Sequence, residues 1–152
     1  LKRRFDIAIS VECAEHLEKR YADTFVDNIC RHADIIMFGA AIPGQGGVEH
    51  VNEQPQSYWI RKFRDRDYKC YDVIRPRFWN DEDIECWYRQ NTFLFVKNTV
   101  DLSETKLTDY KESMSTDVAN PKLVRLLRAE ITAFENHLIN KRYLKKKLSF
   151  LR

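Results

Sequence analysis

Glycine is scarce in this chain of 152 residues, and its four copies all fall between residues 39 and 47. Such a chain is neither collagen-like nor a low-complexity linker, and its remaining turns must be made by residues that carry a Cβ. Cysteine is equally sparse. Cys13, Cys30, Cys70 and Cys86 are scattered without a CxxC pair, which argues against a disulfide-stapled scaffold and a thiolate zinc site and points to reduced thiols in a cytoplasmic protein. No apolar run approaches the roughly 20 residues that a membrane-spanning helix needs. The chain opens on Leu1 rather than Met, and Lys2, Arg3 and Arg4 pass straight into an apolar run too short for a signal peptide, so it is expected to begin mid-protein.

What is present is the composition of a globular domain: 43% hydrophobic, 12% aromatic and 32% charged residues, at a length that suits one core. The net charge of +3 is uneven. Residues 121–152 hold nine Lys and Arg against two Glu, while the rest holds 17 basic against 21 acidic residues. Any attraction to phosphate or anionic lipid therefore belongs to the tail, and the body is not built for nucleic acid.

Hydrophobic periodicity orders the elements. Phe5 to Val11 reads as a buried strand, and Leu17, Tyr21, Phe25 and Ile29, four apart, mark one face of a following helix that ends favourably on Arg31 and His32. Asp34 to Ala41 reads as a second buried strand, and strand, helix, strand over this length is a parallel crossover unit. The glycines follow at once. A loop this rich in glycine either admits a close ligand or makes a wide turn. Pro55 with Tyr58, Trp59 and Phe63 predicts a short helix, Tyr68 to Ile74 and Thr92 to Val96 two more strands, and the acidic stretch 81–85 a helical turn between them. Residues 98–120 are polar and read as a linker. From Asn120 and Pro121 a basic amphipathic helix is predicted, with Val124, Leu127, Ile131, Phe134 and Leu138 at alternating spacings of three and four. The fold class is α/β, with a mostly parallel Rossmann-like sheet over residues 1–97 and a C-terminal helix.

The densest polar cluster is Glu12-Cys13-Ala14-Glu15-His16, at the C-terminal end of the first strand, where open α/β sheets bind ligands. The plainer account is that carboxylates at a helix start complement its dipole. A second cluster, His50, Asn52 and Glu53, follows the glycine loop and would face the same crevice. Trp59, Trp79, Trp87 and Tyr88 either border an acceptor pocket or fill the core.

Phe5-Asp6 followed by Glu12-x-x-Glu15-His16-Leu17 resembles the fourth-strand motif of class I S-adenosylmethionine-dependent methyltransferases, and Ala41-Ile-Pro-Gly-Gln-Gly-Gly47 with Tyr88-Arg-Gln-Asn91 resembles a bacterial subgroup of that family. The resemblance covers residues 5–97. It implies strands four to seven of the family's sheet, with the strand at 92–96 antiparallel and one sheet edge exposed. The family's Gly-rich cofactor turn and the acidic ribose-binding residue have no counterpart here, so the other lip of the cofactor cleft is expected before Leu1. The resemblance further implies that Glu12 and Cys13 line the methionine side of S-adenosylmethionine and that His16 faces the acceptor as general base. His50, Glu53 and Tyr88 are the candidate substrate-binding residues, for a small-molecule or glycan-precursor acceptor. Glu12, Glu15, His16 and His50 also resemble the metal-ligand set of small-RNA ribose methyltransferases, which would hold Mn²⁺ or Mg²⁺. The competing expectation is a non-catalytic binding or scaffold module whose basic helix docks a partner or forms a homo-oligomer.

Overall fold

The computed structural model describes residues 2–109 and 117–149. They form two units, Leu1–Asn120 and Pro121–Arg152. In the first, β1 (Ala8–Val11), α1 (Ala22–His32) and β2 (Ile35–Gly39) make the crossover unit that the hydrophobic pattern predicts. Then come α2 (Gln56–Arg64), β3 (Tyr68–Tyr71), two short helices α3 (Arg75–Phe78) and α4 (Cys86–Asn91), and β4 (Phe93–Lys97). The second unit is one helix, α5 (Pro121–Ser149). No helix of the described residues is long and apolar enough to cross a membrane.

The four strands lie in the order β1-β2-β4-β3. β1 pairs parallel with β2, in the register Ile9 to Met37, whereas β4 is antiparallel to both β2 and β3. The expected mostly parallel sheet is therefore corrected to a mixed one with a single parallel pairing. The reason is where the last strand goes. β4 enters between β2 and β3, so one reversed strand makes two antiparallel ladders, although β1, β2 and β3 all run the same way. β1 is a sheet edge, and its Ile7 and Ile9 flank is exposed.

The core lies between the sheet and α1 with α2. Phe63 stacks on Phe95 with ring centroids 4.1 Å apart, and Phe38 meets Phe63 and Trp59 at 5.1 and 5.2 Å. Trp59 is thus a core residue and not a pocket wall. Each ring of this size contributes a few kcal/mol by burial, so this cluster is the main stabilising unit of the domain. At its rim Lys62 of α2 and Arg66 just beyond it reach Asp23, at 2.8 and 3.3 Å, and Arg66 also reaches Asp27, tying the end of α2 and the turn after it to α1. Hydrogen bonding to Lys62 holds the Asp23 carboxyl below its usual range. These exposed pairs contribute little beyond orientation.

Several boundaries differ from the periodicity. β3 stops at Tyr71, short of the expected Ile74; the Asp72 carboxylate accepts from the Arg75 guanidinium at 2.9 Å, and α3 begins at Arg75. α1 starts at Ala22, after short 3-10 turns at Ala14–His16 and Lys19–Tyr21, so Leu17 and Tyr21 lie outside the helix whose stripe they were to share. The compact unit also reaches past Lys97. The Asp117 carboxylate accepts from the Ser57 backbone N–H and hydroxyl at 2.7 Å each, Gln56 donates to the Val118 carbonyl, and the Asn120 N–H donates to Gln90 Oε1. Residues 110–116 of the polar stretch lie outside the described residues.

A buried hydroxyl joins β3 to the end of α1. Tyr68 Oη donates to the Ala33 carbonyl at 2.6 Å and lies 3.1 Å from the Cys30 carbonyl, and burial raises its pKa. Replacing Tyr68 with Phe should lower the unfolding free energy by about 1 kcal/mol, with its urea slope unchanged, in a denaturation titration.

Candidate functional site

Two polar clusters meet where β1 and β2 end. The first is centred on Glu12, which leaves β1 with φ of +48°, a left-handed conformation that costs a β-carbon-bearing residue energy and is concentrated at functional sites. Its N–H is still held by the Gly39 carbonyl at 3.0 Å, so the strand pairing persists while the side chain turns away. Gln45 Nε2 donates to one carboxylate oxygen at 2.6 Å, and Asn91 Nδ2 lies 3.2 Å from the other and 2.8 Å from Gln45 Oε1. Gln90 continues the chain to Asn91 at 2.8 Å. Burial raises the Glu12 pKa, opposed by the hydrogen bond from Asn91 and reinforced by the Glu15 charge.

The second cluster is centred on Glu15. Its backbone carbonyl accepts the N–H groups of Val51 and Asn52, at 2.9 and 3.0 Å, which draws the segment after the glycine loop against the turn after β1. His16 and His50 thereby meet edge to face, with ring centroids 4.9 Å apart. The Glu15 side chain is sealed from solvent, and neither carboxylate oxygen has a hydrogen-bond partner. His50 Nε2 stands 4.0 Å from Oε1. Glu15, His16 and His50 each present one donor atom, all within 4.8 Å of one another.

Glu53 orients His50. Its carboxylate lies 3.0 Å from His50 Nδ1, which fixes the ring with Nε2 facing Glu15. The same carboxylate accepts the N–H groups of Gly44 and Gly46 at 2.7 and 2.9 Å. Both glycines have positive φ, which brings their N–H groups onto one acceptor. The loop thus wraps its own Glu53 and offers these two groups to no ligand. Gly47 plays a different part: a β-carbon there would come within 2.4 Å of the His50 ring.

The predicted site residues fall into three places. Glu15, His16, His50 and Glu53 are brought together; Glu12 sits beside them but spends its carboxylate on amides and stays outside the histidine group, so three of the four candidate metal ligands converge. Cys13 is exposed, at the start of the 3-10 turn. Tyr88 lines a separate apolar cavity of about 360 Å³ with Val11, Ile74, Phe78 and Ile84. Gln45 and Asn91 belong to the site although neither was singled out from its residue type. Their signal was membership of the two motifs after β2 and before β4. None of the four cysteines is in a disulfide, and burial pushes the Cys30 thiol up to about 11.

No known protein family, curated protein or solved structure matches the chain.

The raised Glu12 pKa has a consequence for stability. The folded protein keeps this proton to a higher pH than the unfolded chain does, so ionising Glu12 costs stability as pH rises above the ordinary value of 4.5. Denaturation from pH 4.5 towards neutrality should show a loss of stability that Glu12→Gln reduces. An identical slope in the variant would place the titration elsewhere.

Proposed function

We propose that the Leu1–Asn120 unit is the acceptor-side part of an S-adenosylmethionine-dependent methyltransferase acting on a small-molecule or glycan-precursor acceptor. The observation that carries this reading is Glu12: a partly buried carboxylate in a left-handed turn at the strand edge, whose described hydrogen-bond partners are amides. A cationic ligand relieves the cost of burying that charge, and S-adenosylmethionine brings both an ammonium and a sulfonium. The common direction of β1, β2 and β3, with β4 reversed, agrees with strands four to seven of the class I sheet.

The cofactor supplies an electrophilic methyl group, which leaves the protein to align the acceptor and remove its proton. Glu12, fixed by Gln45 and Asn91, holds the cationic side. His16, exposed at the rim beside His50, would take the acceptor's proton, with the methyl group supplied by the bound cofactor. In an active methyltransferase containing this unit, His16→Ala should lower turnover roughly 10²-fold with cofactor affinity little changed. Glu12→Gln should chiefly weaken cofactor binding. Full activity of both variants would remove the two assignments.

The unpartnered Glu15 carboxylate favours a second reading, in which methyl transfer is assisted by a divalent ion. Glu15, His16 and His50 offer one oxygen and two nitrogens that all lie within 4.8 Å of one another, and a bound cation would satisfy the orphaned carboxylate. A divalent ion held there would lower the pKa of an acceptor hydroxyl. Glu53 would then act behind the ligands, orienting His50. The mildly acidic body does not favour an RNA acceptor. Calorimetric titration of the chain with Mn²⁺ should give one site that Glu15→Ala abolishes and Gly47→Ala weakens at least tenfold, because the added β-carbon displaces the His50 ring. No heat with Mn²⁺ or Mg²⁺ would leave His16 as a base without a metal.

A further inference from the structure

α5 carries an apolar seam that is half-buried at Val124 and Leu127 and exposed from Ile131 onward. Ile131 and Phe134 are 58% and 63% exposed and Leu138 is 41% exposed, all on the line of Val124, Leu127, Ile131, Phe134 and Leu138. Alternating steps of three and four keep these residues on one stripe, the pattern that packs against a second helix. The charges beside the stripe then select among partners.

We propose that α5 pairs antiparallel with α5 of a second copy of this chain, about a two-fold axis between Ile131 and Phe134. In that register Ile131 packs on Phe134 of the second copy and Leu127 on its Leu138, each contact occurring twice. The flanking positions become complementary: Arg128 faces Glu135 of the second copy, and Glu130 faces its His137. A parallel in-register pair does the reverse. It sets Glu130 against Glu135 and His137 against Arg142. Past the seam, Lys141 falls opposite Val124 and limits the contact to the central apolar layers, so the dimer is a reversible one.

The full chain should sediment as a concentration-dependent monomer and dimer, and Ile131→Asp should leave only monomer with the first unit still folded. Glu135→Arg discriminates the orientations. It breaks two Arg128–Glu135 pairs and should raise the dimer dissociation constant roughly tenfold, with Arg128→Glu added to Glu135→Arg restoring it. A parallel pair would instead be strengthened by Glu135→Arg, because Glu130 would gain a partner. That strengthening, a monomer at every concentration, or a dimer indifferent to Ile131→Asp would each overturn the proposal.

Discussion

The carbonyl oxygen of Glu15 accepts two backbone N–H groups from a segment more than thirty residues away, and the site follows from that choice. In an uninterrupted helix this oxygen would accept the N–H of Lys19. Here Val51 and Asn52 occupy it, and the chain after β1 makes separate 3-10 turns before α1 begins at Ala22. The same two bonds carry His50 to His16 and close the Glu15 carboxylate off from water. A buried carboxylate without hydrogen bonds is expensive, which makes Glu15 the costliest polar group of the cluster to hold in place.

Around that point the polar groups divide into two functions. Glu53 gathers the glycine loop and turns His50 Nε2 inwards, using up the loop's own donors. Glu12, Gln45, Asn91 and Gln90 form a second chain that ends at the Asn120 N–H. In this chain each amide both donates and accepts, so the buried polar groups stabilise one another and fix Glu12 in its left-handed turn. Residues at the end of β1, in the glycine loop and ahead of β4 are thereby held to a common geometry although they are far apart in sequence. The aromatic core on α1 and α2 keeps the strand ends in place beneath them.

Much of this was legible in the chain before folding. The crossover of two strands and a helix, the position of α2, the last strand, the C-terminal seam and the meeting of the Glu15-His16 cluster with the His50-Glu53 cluster all follow from local pattern and from the rule that α/β sheets bind at their strand ends. Local pattern failed where a side chain or carbonyl found a distant partner. Asp72 pairs with Arg75 beyond the strand, Leu17 and Tyr21 lie in the turns beside the Glu15 carbonyl that Val51 occupies, and Asp117 with Asn120 holds part of a polar stretch on the body.

Sequence by itself determined which segments are apolar with period two or near four, because that periodicity is a property of each segment's own side chains. It also set the separation between a mildly acidic body and a basic, seam-bearing helix. Only the tertiary structure decided that β4 slots between β2 and β3, that Glu12 leaves the histidine group for Gln45 and Asn91, and that the glycine loop closes on Glu53. Strand order and hydrogen-bond choice are settled by competition among partners distant in sequence, and a donor or acceptor carries no local mark of which partner will reach it first.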